Sequence, residues 1–87
     1  MIDLDRRYVL HPQVAVRPEP FGALLYHFGT RRLSFLKDPR LLAVVQGLAQ
    51  APSVGAACAA AGVGPAELPS FARALETLAA TEMVVPS

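Results

Sequence analysis

Eighty-seven residues amount to one domain, and a chain this short buries only about 60 to 65% of the surface it exposes when unfolded, so its core is thin. Eight Lys and Arg against seven Asp and Glu leave a net charge of +1, without the strong basic excess of a general nucleic-acid or membrane-surface binder. A lone cysteine, Cys58, excludes an internal disulfide framework.

Residues 1–13 are polar, are broken by Pro12, and read as a loosely ordered lead-in to a single domain over 14–87. The N-terminus has no charged-then-apolar signal and no apolar run reaches the length of a membrane span, so the expected location is the cytoplasm. From Val14 to Leu36 the pattern is short and β-like. A strand over 14–17 is stopped by Pro18 and Pro20; a second, over 23–28, lies between Gly22 and Gly29; a third covers 31–36. Leu24, Tyr26 and Phe28 share one face of the second strand, and Leu33 and Phe35 share one face of the third. Period two with a single buried face is the pattern of a small antiparallel sheet. Gly29-Thr30 supplies a hairpin connection, and Arg17-Pro-Glu-Pro-Phe-Gly22 reads as a turn in which Phe21 plugs the sheet.

The period then changes. Asp38 followed by Pro39 is a helix-start signal, and Leu41, Val44, Val45 and Leu48 mark one helical face before Pro52 forces an end. Ser53 caps a second helix over 54–61, which Gly62 terminates. A third runs through Leu68, Phe71, Ala72, Leu75, Leu78 and Ala79, with Pro65 and Pro69 both acceptable in its first turn. Met83-Val-Val85 can add a last short strand. Three strands followed by three helices predict an α+β domain, a winged helix-turn-helix with a three-stranded antiparallel sheet on its N-terminal side.

No catalytic constellation assembles from these residues. His11 and His27 stand apart with no metal-ligand spacing, and His27 reads as a partly exposed strand residue. Cys58 lies among alanines on a helix, the setting of a small buried apolar side chain. No phosphate-binding glycine loop and no nucleophile elbow is present. The chain is therefore expected to be no enzyme and to need no cofactor or metal of its own. A DNA-binding regulator with the same architecture is the competing reading. A recognition helix needs basic and amide side chains, however, and residues 65–80 offer Arg73 against Glu67 and Glu76, with no Asn, Gln or Lys.

Two stretches, Arg17-Pro-Glu-Pro-Phe-Gly22 and Tyr26-His-Phe-Gly-Thr-Arg-Arg-Leu-Ser-Phe-Leu36, give the chain a resemblance to the mycofactocin-system peptide chaperones. That family is similar to the pyrroloquinoline-quinone peptide chaperones, the archetype of precursor-peptide recognition domains. The resemblance implies a non-catalytic protein that binds the leader of a ribosomally made precursor peptide and presents it to a radical S-adenosylmethionine maturase. The iron–sulfur clusters and the S-adenosylmethionine would belong to that partner. It implies further that the leader adds beside the third strand and packs against the third helix. The residues so assigned are Arg31, Arg32, Leu33, Ser34, Phe35, Leu36 and Lys37, with Phe71, Leu75 and Leu78 across from them.

Sheet-edge N–H and C=O groups left without a partner can accept another strand, and pockets at alternate positions can select its side chains. Arg31, Arg32 and Lys37 can draw in an acidic leader, or can be the charges that keep an edge strand from aggregating. Leu33 and Phe35 fit core or groove equally, and Phe71, Leu75 and Leu78 have the spacing of any buried helix face. An exposed edge can also pair with its own copy, or exchange segments with it, to give a homodimer.

Overall fold

Asp38 marks the passage from the main sheet to the helices, because its side chain caps the first helix. The computed structural model describes residues 2–20 and 22–87. Strands β1 (Tyr8–Leu10), β2 (Val14–Glu19), β3 (Gly22–His27) and β4 (Arg32–Leu36) precede helices α1 (Pro39–Gly47), α2 (Val54–Ala60) and α3 (Leu68–Ala80), and β5 (Val84–Pro86) ends the chain. The fold is α+β, with a three-stranded antiparallel sheet followed by three helices, as expected. Phe21, expected to plug the sheet, lies outside the described residues.

The helix boundaries follow from local chemistry. Asp38 Oδ1 accepts the Arg40 backbone N–H at 2.8 Å and Pro39 occupies the first turn, where a missing N–H costs nothing. A 3-10 turn, Leu48–Gln50, tightens the end of α1 before Pro52. Ser53 Oγ accepts the Ala56 N–H at 3.1 Å to start α2, and Gly62 at φ 84° turns the chain out of it. Proline falls again in the first turn of α3, as Pro69, and Glu67 precedes the helix.

The main sheet has the order β2-β3-β4. Its register pairs Val16 with Leu25, Leu24 with Phe35 and Tyr26 with Leu33. Between β3 and β4 the turn carries Arg31 at φ 62°, and the Arg31 N–H donates to the His27 carbonyl at 2.7 Å. β2 forms one border, where Pro18 has no N–H to offer. β4 forms the other.

The inward face of this sheet corrects the phase read from sequence. Ala23, Leu25, His27 and Leu36 are the buried residues, whereas Leu24 and Tyr26 are half-buried and Phe28, Leu33 and Phe35 are exposed. Residues 23–28 are apolar at nearly every position, so alternation cannot fix which set turns inward, and a one-residue change of phase exchanges the faces completely. His27 is likewise buried rather than partly exposed, at 2% relative exposure. Its Nδ1 accepts the Gly29 and Thr30 N–H groups at 3.0 and 3.1 Å, which organises the turn into β4. The His11 ring lies against it, centroids 4.3 Å apart.

Leu25 and Leu36 from the sheet, Val44, Val45 and Leu48 from α1, Val54 and Cys58 from α2, and Phe71, Leu75 and Leu78 from α3 make one core. Each large aliphatic side chain taken fully out of water contributes about 1.5 to 3 kcal/mol. The segment read as a loose lead-in holds β1, which pairs antiparallel with β5 through Tyr8–Pro86, Val9–Val85 and Leu10–Val84. Ile2 is buried against the same core.

Candidate functional site

β4 pairs with β3 on one side, and among the described residues no strand pairs with its other side. In an antiparallel ladder every second residue of such a strand directs its N–H and C=O outward. That border faces α3 across a groove of about 290 Å³ lined by Ser34, Phe35, Leu36 and Leu41 on one wall and Ala74, Thr77 and Leu78 on the other. A second hollow of about 220 Å³, bounded by Thr30, Arg32, Ala80, Thr81 and Glu82, lies toward the start of β4.

The wall from α3 is kept low where Ala74 and Thr77 flank Leu78. Thr77 Oγ1 donates to the Arg73 carbonyl at 3.1 Å, and Thr81 Oγ1 donates to the Thr77 and Leu78 carbonyls at 3.2 Å, so both hydroxyls fold back onto the helix. Arg40 fixes the helix that forms this wall. It donates to both carboxylate oxygens of Glu67, with Nη1 to Oε1 at 2.9 Å, pairs with Asp38 at 3.6 Å, and lies 5.2 Å from the centre of the Phe71 ring. Those hydrogen bonds hold the Glu67 carboxyl below its ordinary range and the guanidinium above its own.

Of the residues assigned from sequence, Ser34, Phe35, Leu36 and Leu78 line this groove, and Arg32 lines the second hollow. Phe71 and Leu75 do not line it; they are core residues behind Leu78. Leu33 is 61% exposed on the outer face of the sheet, neither core nor groove wall. Arg31 sits in the turn before β4 and Lys37 directly after the strand, both exposed. Ala74, Thr77, Ala80 and Thr81 were not singled out from sequence. Their signal is a run of small side chains on the α3 stripe beside the apolar one.

Nothing in these surroundings supports catalysis. Among the described residues no three His, Cys, Asp or Glu side chains converge as a metal site would require. Cys58 is fully buried, and burial pushes its thiol pKa up, away from the reactive thiolate. A larger hollow, about 380 Å³, lies between Ile2, Leu4 and another face of α3 at Leu68, Pro69 and Ala72. It is apolar but borders no open strand, so backbone pairing is not available there.

The sequence profile of the peptide chaperone MftB family matches residues 7–85. The chain belongs to that family. Three MftB relatives agree. The peptide chaperone MftB of Mycobacterium tuberculosis (strain ATCC 25618 / H37Rv) is 60% identical over 84 residues, spanning 97% of this chain and 77% of its own. The MftB of Mycobacterium ulcerans (strain Agy99) is 61% identical, with the same spans. That of Mycolicibacterium smegmatis (strain ATCC 700084 / mc(2)155) is 52% identical, over 97% of this chain and 82% of its own. No solved structure gives a significant match. Membership in the MftB family bears out the resemblance carried by residues 17–22 and 26–36, and it places the chain among non-catalytic chaperones. No helix among the described residues is long and apolar enough to cross a membrane.

Proposed function

We propose that the chain is a cytoplasmic peptide chaperone of mycofactocin biosynthesis. It binds the leader of a ribosomally made precursor as a fourth strand on β4 and presents it to a radical S-adenosylmethionine maturase. The helices behind the sheet would serve as a winged helix-turn-helix adapted to peptide rather than DNA. The observation that carries this reading is the β4 border facing a groove whose helical wall is kept low by Ala74 and Thr77.

An added strand forms main-chain hydrogen bonds worth about 0.5 to 1.5 kcal/mol each. Its alternate side chains drop into the space between Leu36, Leu41 and Leu78. Four to six such bonds with a few apolar anchors give roughly −8 to −10 kcal/mol, a micromolar to sub-micromolar dissociation constant. Arg31 and Arg32 stand at the strand's start, and Arg32 lines the hollow that Glu82 closes. They favour acidic leader residues at that end and act chiefly on the association rate.

Calorimetric titration with the precursor peptide tests the reading. Saturable heat is expected, and Ala74→Trp, which fills the groove from the helical side, should weaken binding about tenfold or more. No heat at tens of micromolar peptide (roughly −6 kcal/mol or weaker) would sink it. The β4 border can also take β4 of a second copy, so any homodimer formed this way should dissociate as peptide is added.

A further inference from the structure

The outer face of the three-stranded sheet is apolar where a one-sided sheet is ordinarily polar. Phe28 and Leu33 are each 61% exposed, and the Phe28 ring meets the Tyr26 ring edge-on with centroids 4.9 Å apart. Tyr26 stands opposite Leu33 in the register, and Leu24 opposite Phe35, so these side chains form one continuous surface. Contiguous apolar surface of this kind marks an interaction site. Its rim is basic. Arg17, opposite Leu24, is ion-paired with Glu19 at 3.2 Å, and Arg31 and Lys37 stand at the two ends of β4 with no ion pair among the described residues.

We propose that this face docks the peptide-modifying enzyme through an apolar patch on that enzyme rimmed by carboxylates. The inference rests on the chaperone reading above and names the surface that performs the presentation. Two observations select this occupant over a second copy. A twofold pairing of the face would lay one basic rim over another, with Arg17, Arg31 and Lys37 outnumbering Glu19 in each copy, whereas an acid-rimmed partner neutralises the excess. The second is geometric. A strand added beside β4 sends alternate side chains to the outer face, level with Leu33 and Phe35. The guest thus becomes part of the docking surface, and a partner seated there senses whether cargo is present. Edge and face lie at right angles, so both are occupied at once.

Linkage makes this reciprocal: whatever factor the peptide adds to enzyme affinity, the enzyme adds to peptide affinity. The test measures binding of the purified maturase to the intact chain, with and without precursor peptide, for wild type, Phe28→Glu and Arg17→Glu. Neither position lies on β4, and Phe28 and the Arg17 side chain are 61% and 77% exposed, so fold and peptide affinity should be kept. Wild type should bind the enzyme about fivefold or more tightly once peptide is bound. Phe28→Glu should weaken enzyme binding about tenfold or more, and Arg17→Glu should slow association. Wild-type enzyme affinity in both variants overturns the proposal. So does a dimer in sedimentation that Phe28→Glu dissolves while enzyme binding is untouched. A wild-type chain that takes peptide but not enzyme overturns the proposal and the presentation step, and leaves the groove standing. One that takes no peptide overturns the chaperone reading itself.

Discussion

His27 shows how much can depend on one polar atom in a thin core. Its Nδ1 satisfies two backbone N–H groups of the β3–β4 turn, while Nε2 is buried with no hydrogen-bond partner among the described residues. An Nδ1 that accepts twice leaves the ring's proton on Nε2 in the neutral form. Replacement by Ala removes both acceptor bonds and opens a void beside Leu25, so His27→Ala should lower the unfolding free energy by about 2 to 4 kcal/mol in denaturant titration. Glu67 gives a pH signature. Because Arg40 depresses its folded-state pKa, the pair's stabilisation is complete above the unfolded carboxyl value and fades as pH falls through the folded one. Both groups are partly exposed and screened, so the effect is modest. Glu67→Gln should therefore flatten the acid limb of the midpoint-versus-pH curve and alter the neutral plateau little.

At the scale of elements, Gly22 ties β3 to β4. A Cβ built there would stand 1.8 Å from the Leu36 carbonyl oxygen, and the residue's φ is 151°. Gly22→Ala must push the strands apart at the end of the candidate site, costing about 3 kcal/mol or more, visible as a fall in the thermal midpoint and in peptide affinity. How legible each element was in the sequence follows from the range of the interactions that fix it. The Asp38-Pro39 start of α1, the Ser53 start of α2 and the Gly62 exit depend on contacts within a few residues, and all are found as read. The phase of β3 and the pairing of β1 with β5 depend on distant partners. Ala23 and Leu25 turn inward because α1 covers them, and Tyr8 meets Pro86 from the other end of the chain. That a small sheet leaves an open edge was readable, and the choice of β4 as that edge came from the family resemblance of residues 17–22 and 26–36. The low stretch of wall opposite was not readable, since Ala74 and Thr77 carry no chemical signal until the fold brings them to β4.

For the molecule as a whole, the two borders of the main sheet are not equivalent. Pro18 interrupts the donors of β2, and Arg17 beside it is charged and exposed. Pro18→Val should restore a continuous border and produce concentration-dependent light scattering in a variant whose peptide affinity is unchanged. The asymmetry has a further consequence for how the wild-type protein survives at high concentration. Growth into a filament needs each subunit to link forward and backward, and Pro18 leaves the β2 border of the main sheet an incomplete second link. Self-association through β4 stops at a closed pair, a poor nucleus for a fibre. A chaperone obliged to keep a sticky rim available can in this way do so without becoming a seed for its own aggregation.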